Sequence, residues 1–230
     1  MNKVKKIGVV VAIEIDAVLE KYGTPSETYI NRGFTVRSYV NDAFTMYVVD
    51  SGAGEIASSA ATQLLISEYK VDMIVNFGAV GALTERMKSA ELCVVEKVIH
   101  YDFDTTGWLN LPRGQHPEQE SAYVCTTPEL VSEAMRLSPG LLKVVCCSAD
   151  KFIDAAEDKS FLNKTYGGDI CEMEAAGVVL TCSRNDVPCL LIKAVADSLF
   201  GGGREFLTEL NRVSQICFEL VDRLVRQMIQ

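Results

Sequence analysis

Carboxylates placed just past apolar runs are the first chemistry-bearing feature of this chain. Glu14 and Asp16 follow the run Ile7–Ile13, Asp150 follows Leu142–Cys147, and Asp197 follows Pro188–Ala196. Glu172 and Glu174 flank Met173 in the segment Gly168–Gly177. If the runs are strands of an open α/β sheet, their carboxyl ends are where a ligand binds. Several carboxylates with no cationic clamp suit a developing positive charge better than a phosphate. Lys193 is the exception. It lies inside an apolar run and shares a strand face with Asp197, because strand side chains repeat every two residues. A buried lysine needs a partner, so a structural ion pair competes with a catalytic role.

Each acid also has a plainer reading. Glu14 and Asp16 suit a solvated first helical turn, and so do Glu172 and Glu174. Asp197 suits a helix cap. Gly78-Ala79-Val80-Gly81 suits a tight turn packed after a strand. Glu172 and Glu174, two positions apart on a helix, point to roughly opposite sides, so only one is expected to face a pocket.

The elements that must position these groups alternate between strand and helix. Ile7–Ile13 is a continuous β-branched run that reads as a buried strand. Phe34–Val40 and Ala43–Asp50 bracket Asn41-Asp42 as a hairpin. Ser51–Gly54 is a turn, and Glu55–Tyr69 has helical spacing. Met73–Phe77 is a strand ending in the Gly78–Gly81 turn, and Leu92–Ile99 is another. Tyr101–Glu120 reads as one long functional loop. Pro128–Arg136 is helical with Thr127 as N-cap. Leu142–Ser148 is a strand, Cys171–Asn185 a helix, Pro188–Ala196 a strand, and Glu205–Gln230 a long amphipathic helix. The pattern predicts one three-layer α/β domain over residues 1–230. Its central sheet is mixed, largely parallel and flanked by helices.

Composition excludes several classes. The chain has 230 residues, of which 48% are apolar and 23% charged, with a net charge of −9. An acidic chain is a poor ligand for nucleic acid or an anionic membrane. The one basic cluster is Lys3, Lys5 and Lys6. The eight cysteines form no C-x-x-C pair and sit largely in apolar runs, as buried thiols do. No signal peptide or membrane span is expected, which predicts a cytoplasmic protein.

Taken together, E-M-E-A-A-G at 172–177, A-D at 196–197, G-V-V-V-A-I-E at the N-terminus and N-F-G-A-V-G at 76–81 resemble the nucleoside phosphorylase/nucleosidase superfamily. The nearest branch is the 5′-methylthioadenosine/S-adenosylhomocysteine nucleosidases, which Ser148–Ile153 and D-F-D-T-T at 102–106 also resemble. The resemblance implies hydrolysis of a purine nucleoside; with only two histidines, His100 and His116, and no C-x-x-C pair, no metal is expected, and no cofactor either. The resemblance also implies that Asp197 protonates purine N7, Glu174 holds the ribose hydroxyls beside Met173, Phe152 stacks on the base, and Ile153 bonds its edge through the main chain. Phe206 would cover the ribose or its 5′ side. Thr105 and Trp108 would reach a neighbouring subunit's pocket, implying a homodimer.

Three water-contact positions and one wall position depart from that pattern. The water-activating Glu corresponds to Asp16, with Glu14 as a substitute, a helping Ser corresponds to Ala79, and an Arg corresponds to Lys193. An Ile of the Ser51–Gly54 turn corresponds to Ala53, which leaves more room at the 5′ position. Two alternatives therefore stand beside hydrolysis: phosphorolysis, which wants cationic groups that this chain lacks near its first strand, and nucleoside binding without turnover.

Overall fold

The computed structural model describes residues 5–229; Lys3 of the basic cluster and the terminal Gln230 lie outside them. Ten strands form the sheet: β1 Lys5–Val11, β2 Glu27–Asn31, β3 Phe34–Val40, β4 Phe44–Asp50, β5 Met73–Ala82, β6 Leu92–His100, β7 Tyr123–Cys125, β8 Leu142–Ser148, β9 Ile170–Glu172 and β10 Cys189–Asp197. Six α-helices cover it: α1 Ile15–Tyr22, α2 Glu55–Leu64, α3 Pro128–Leu137, α4 Ala156–Tyr166, α5 Ala175–Arg184 and α6 Gly203–Ile229. One further turn of π-helix, Leu65–Tyr69, extends α2.

Alternation along the central strands makes the layers. Ile7, Val9 and Val11 of β1 and Met73, Val75 and Phe77 of β5 pack on one side, with residues of α1, α3 and α6. Val10, Ile74 and Val80 pack on the other, with residues of α2 and α5. Two apolar faces per strand are what a continuous β-branched run encodes. Gly8 is forced by this packing, because a Cβ there would lie 2.8 Å from Ile74 Cδ1 and 3.0 Å from Leu65 Cδ1.

The sheet is mixed rather than largely parallel, which corrects the sequence expectation. Parallel pairings join β1 to β4 and β5, β5 to β10, and β8 to β6 and β9. Antiparallel pairings, equal in number, join β10 to β6, β3 to β2 and β4, β5 to β9, and β6 to β7. The path β10-β6-β8-β9-β5 closes on itself, because β10 also pairs with β5. Closure removes the edges of this part of the sheet, and β2, paired only with β3, remains an edge strand on the other side.

Two local readings also change. Gly78–Gly81 is not a turn. It continues β5, fully buried between β10 and β9. Cys171–Asn185 is not one helix, since Ile170–Glu172 pairs as β9 and the helix starts at Ala175. Helix α4 and strands β2, β7 and β9 were not expected. Strand β2 is largely exposed, and α4 is mostly polar (AEDKSFLNKTY), so neither shows a clear apolar period.

Candidate active site

A pocket of about 200 Å³ opens at the carboxyl ends of the parallel strands. Its wall comes from the segments just past β1 (Ala12, Ile13, Glu14), β4 (Ala53) and β8 (Lys151, Phe152, Ile153), and from β5 itself (Ala79, Val80, Gly81). The β9–α5 junction (Cys171 to Glu174), Asp197 at the end of β10 and Phe206 of α6 complete it. Of the expected residues, Asp197, Glu14, Glu174, Met173, Phe152, Ile153, Ala79 and Phe206 therefore meet in one cavity.

Glu14 and Asp16 separate. Glu14 is 5% exposed, and its Oε1 accepts the Ala79 N–H at 2.9 Å while Oε2 accepts the Ile13 N–H at 3.0 Å. Gly78 makes room for it, since a Cβ there would sit 2.6 Å from Glu14 Oε1. Asp16 lies in the first turn of α1, exposed and outside the pocket. The helix starts at Ile15, and two residues along a helix turn a side chain to the far side. Of the two acids, Glu14 therefore takes the inward position on the pocket wall, and Asp16 points away from it.

Lys193 also departs from its expected place. It is 2% exposed and does not line the pocket. Its Nζ lies 3.1 Å from Glu172 Oε2. Burial opposes its charge, yet Glu172 and Glu174 hold its pKa above the ordinary lysine value. Burial likewise opposes the charge of Glu172, and Lys193, Ser148 and the α5 N–H groups bring its pKa below the ordinary carboxyl value. Glu172 accepts the Ala175 N–H at 2.9 Å and the Glu174 N–H at 3.1 Å, capping α5. Both acids of the E-M-E segment border the pocket, because it straddles a strand end and a helix start.

Glu174 Oε1 accepts the Gly54 N–H at 2.9 Å, and burial with the neighbouring Glu172 raises its pKa to about 7. Phe152 is 43% exposed and meets Phe206 edge-on, with ring centroids 5.4 Å apart. Ile153 is buried beside it. Thr105 is buried and Trp108 is 76% exposed, in a loop where the Trp108 N–H donates to the Thr105 carbonyl. Neither lines this chain's own pocket.

Two buried groups were not singled out from the sequence. Ser148 Oγ contacts carboxyl oxygens of both Glu55 and Glu172, the latter at 2.5 Å, and accepts the Ala176 N–H at 3.1 Å. One hydroxyl hydrogen cannot serve two carboxylates. Glu172 already faces a lysine, so the second proton resides on Glu55, whose other oxygen accepts the Gly177 N–H. Burial and the charge of Glu172 push the Glu55 pKa up to about 8. In the sequence Glu55 is an unremarkable first-turn acid. The second group is Lys159, fully buried on α4 and bonded to Asp197 Oδ2. The polar sequence of α4 gives no signal that one of its lysines turns inward.

Asp197 is 1% exposed, and burial raises its pKa against the opposing pull of Lys159. The site thus offers a carboxyl able to hold a proton, further carboxylates, and an apolar wall with aromatic faces. Among the described residues only Lys151 brings a cation to the wall, and it pairs with Asp158 at 3.3 Å.

Comparison with known proteins agrees with this geometry. The family model of the phosphorylase superfamily matches residues 6–229. A 5′-methylthioadenosine/S-adenosylhomocysteine nucleosidase of Staphylococcus aureus is 30% identical over 187 residues, covering 79% of this chain and 81% of that protein. The Helicobacter pylori 5′-methylthioadenosine/S-adenosylhomocysteine nucleosidase superposes with a TM-score of 0.93 at 25% identity, over 98% of this chain and 100% of that one. The futalosine hydrolase of Helicobacter pylori superposes with a TM-score of 0.92 at 25% identity, over 97% and 98%. With a mixed sheet closed at one end and a carboxylate-lined pocket at its strand ends, the chain belongs to the phosphorylase superfamily.

Proposed function

We propose that this chain is a purine nucleosidase. It hydrolyses the N-glycosidic bond of an adenine-type nucleoside such as 5′-methylthioadenosine or S-adenosylhomocysteine, releasing the base and a ribose derivative. The observation that carries the reading is Asp197. It is a buried carboxyl with a raised pKa on the wall of an apolar pocket, as a general acid for a leaving purine requires. Glycosidic cleavage builds positive charge on the ribose, which the carboxylate of Glu174 opposes. Phe152 and Phe206 supply faces for the base and sugar, and Ile153 supplies main-chain bonds to the base edge. Met173 packs beside the ribose.

Water is the nucleophile, and Glu14 is the group that takes its proton. Phosphorolysis is not favoured, because Lys193 is committed to Glu172 behind the wall and, among the described residues, no arginine lines the pocket. The relatives named for hydrolysis support the same choice. Residues 1–230 act as one domain in the cytoplasm, as a homodimer. The exposed Trp108 and the loop around Thr105 suit a contact with a partner's pocket mouth. Among the described residues no helix is long and apolar enough to cross a membrane.

The test is free-base release, followed by chromatography with and without phosphate. The panel is methylthioadenosine, S-adenosylhomocysteine, adenosine, inosine and futalosine. Release without phosphate establishes the nucleosidase, and the best substrate identifies the 5′ group. Release only with phosphate, or none at all, overturns it.

A further inference from the structure

Lys159 is 0% exposed, and its three ammonium hydrogens have three acceptors. These are Asp197 Oδ2, the Ser198 carbonyl at 2.7 Å and the Gly201 carbonyl at 3.0 Å. A buried lysine with every N–H matched is held in place, because any movement leaves an unpaired buried charge. It ties α4 to the end of β10 and to the loop that leads into α6. Asp197 is thereby held through one oxygen only. Among the described residues no donor bonds Oδ1, which lies beside Gly81, where a Cβ would approach it to 3.1 Å. Gly81 and Asp197 both line the pocket.

A general acid has two requirements that conflict. It must hold a proton near neutrality, and it must release that proton easily when the bond breaks. Burial meets the first, since it disfavours the carboxylate. A fixed cation at the opposite oxygen meets the second, since it stabilises the carboxylate that forms. The other charged or titratable groups facing Asp197 are Glu205 of α6, Asp154 ahead of α4 and Cys171 of β9. None of these is a cation, so Lys159 alone has the sign needed.

We propose that Lys159 is the positioning residue of the proton donor, fixing Asp197 through Oδ2 so that Oδ1 faces the base, and neutralising the carboxylate left when the proton departs. This rests on the nucleosidase reading. In the step it serves, the proton passes from Asp197 Oδ1 to purine N7, and the C1′–N9 bonding pair leaves with the base. Water oxygen bonds C1′ and its proton goes to Glu14. The Asp197 carboxylate then pairs with Lys159 until exchange with solvent restores the proton.

The test compares Lys159→Gln, which keeps N–H donors without charge, with Lys159→Arg, which keeps the charge. For Lys159→Gln, kcat is expected to fall ~100-fold with KM within ~3-fold of wild type, the size of one lost transition-state electrostatic contact. The basic limb of its kcat/KM–pH profile should move up by about one pH unit or more, because the isolated acid holds its proton longer. Lys159→Arg should keep the limb near its wild-type position. A folded Lys159→Gln protein with an unmoved limb overturns the proposal. A second measurement titrates the wild-type chain and needs neither turnover nor any substitution at Lys159. The Asp197 carboxyl carbon, assigned with Asp197→Asn, and the Lys159 Nζ nitrogen are titrated together by NMR. The lysine signal is expected to move with the aspartate titration, and an unresponsive lysine overturns the coupling. If no nucleoside is cleaved, the nucleosidase reading falls, and this titration still decides whether the pair is coupled.

Discussion

Glu14 Oε1 accepts the main-chain N–H of Ala79 at 2.9 Å, joining the segment after β1 to the buried end of β5. The contact holds a carboxylate on the pocket wall with its other oxygen on the Ile13 N–H, so the side chain has little freedom to swing away.

Glu14→Gln should therefore lower kcat by ~10²-fold or more, as loss of a general base does. Asp16→Asn should leave kcat and KM near wild type, because Asp16 is exposed. Steady-state kinetics on the two variants check this. Loss of turnover in Asp16→Asn with normal turnover in Glu14→Gln would return the role to Asp16.

Glu55 gives a pH signature in stability. Its folded pKa, about 8, stands above the ordinary carboxyl value of 4.5. The folded chain keeps a proton that the unfolded chain releases, so the stability this site contributes is greatest below the unfolded pKa and declines as pH rises toward about 8. Glu55→Gln mimics the protonated form, with an amide donor for Ser148 and an oxygen for the Gly177 N–H. Its Tm relative to wild type should rise from about pH 5 to about pH 8. A Tm difference that does not change with pH would refute the assignment of the proton.

Removing Lys193 should damage the fold before the chemistry. Lys193→Met leaves Glu172 buried without its cation, a loss of roughly 3–5 kcal/mol for a broken buried pair. Denaturant unfolding checks this. A double change, Lys193→Met with Glu172→Gln, should recover part of the loss, because it removes both charges.

Ala53 lines the pocket, and the nucleosidase reading puts it beside the sugar. Ala53→Ile should cut kcat/KM for the substrate with the larger 5′ group by about tenfold or more, relative to the smaller one, as an added side chain fills part of the pocket. Competition between S-adenosylhomocysteine and methylthioadenosine reads this directly. Unchanged selectivity would place Ala53 away from that end.

Much was legible in the chain itself. The β-branched run at 7–11 and the largely apolar run at 73–77 point to two-sided burial, and two-sided burial calls for a sheet with helices on both faces. The acids at 14, 174 and 197 follow strands or open a helix, so their place at one end of the sheet follows from order along the chain. Tertiary structure decided the rest, because the deciding contacts join residues far apart in sequence. The pairing of β10 with both β5 and β6 closes the sheet and buries Gly78–Gly81, which in sequence look like a turn. The start of α1 at Ile15 turns Glu14 inward and Asp16 outward, a difference in helix phase that no residue type records. Lys193 finds Glu172, and Lys159 finds Asp197 across 38 positions. A buried charge is defined by its partner, and the partner is known only once the chain has folded.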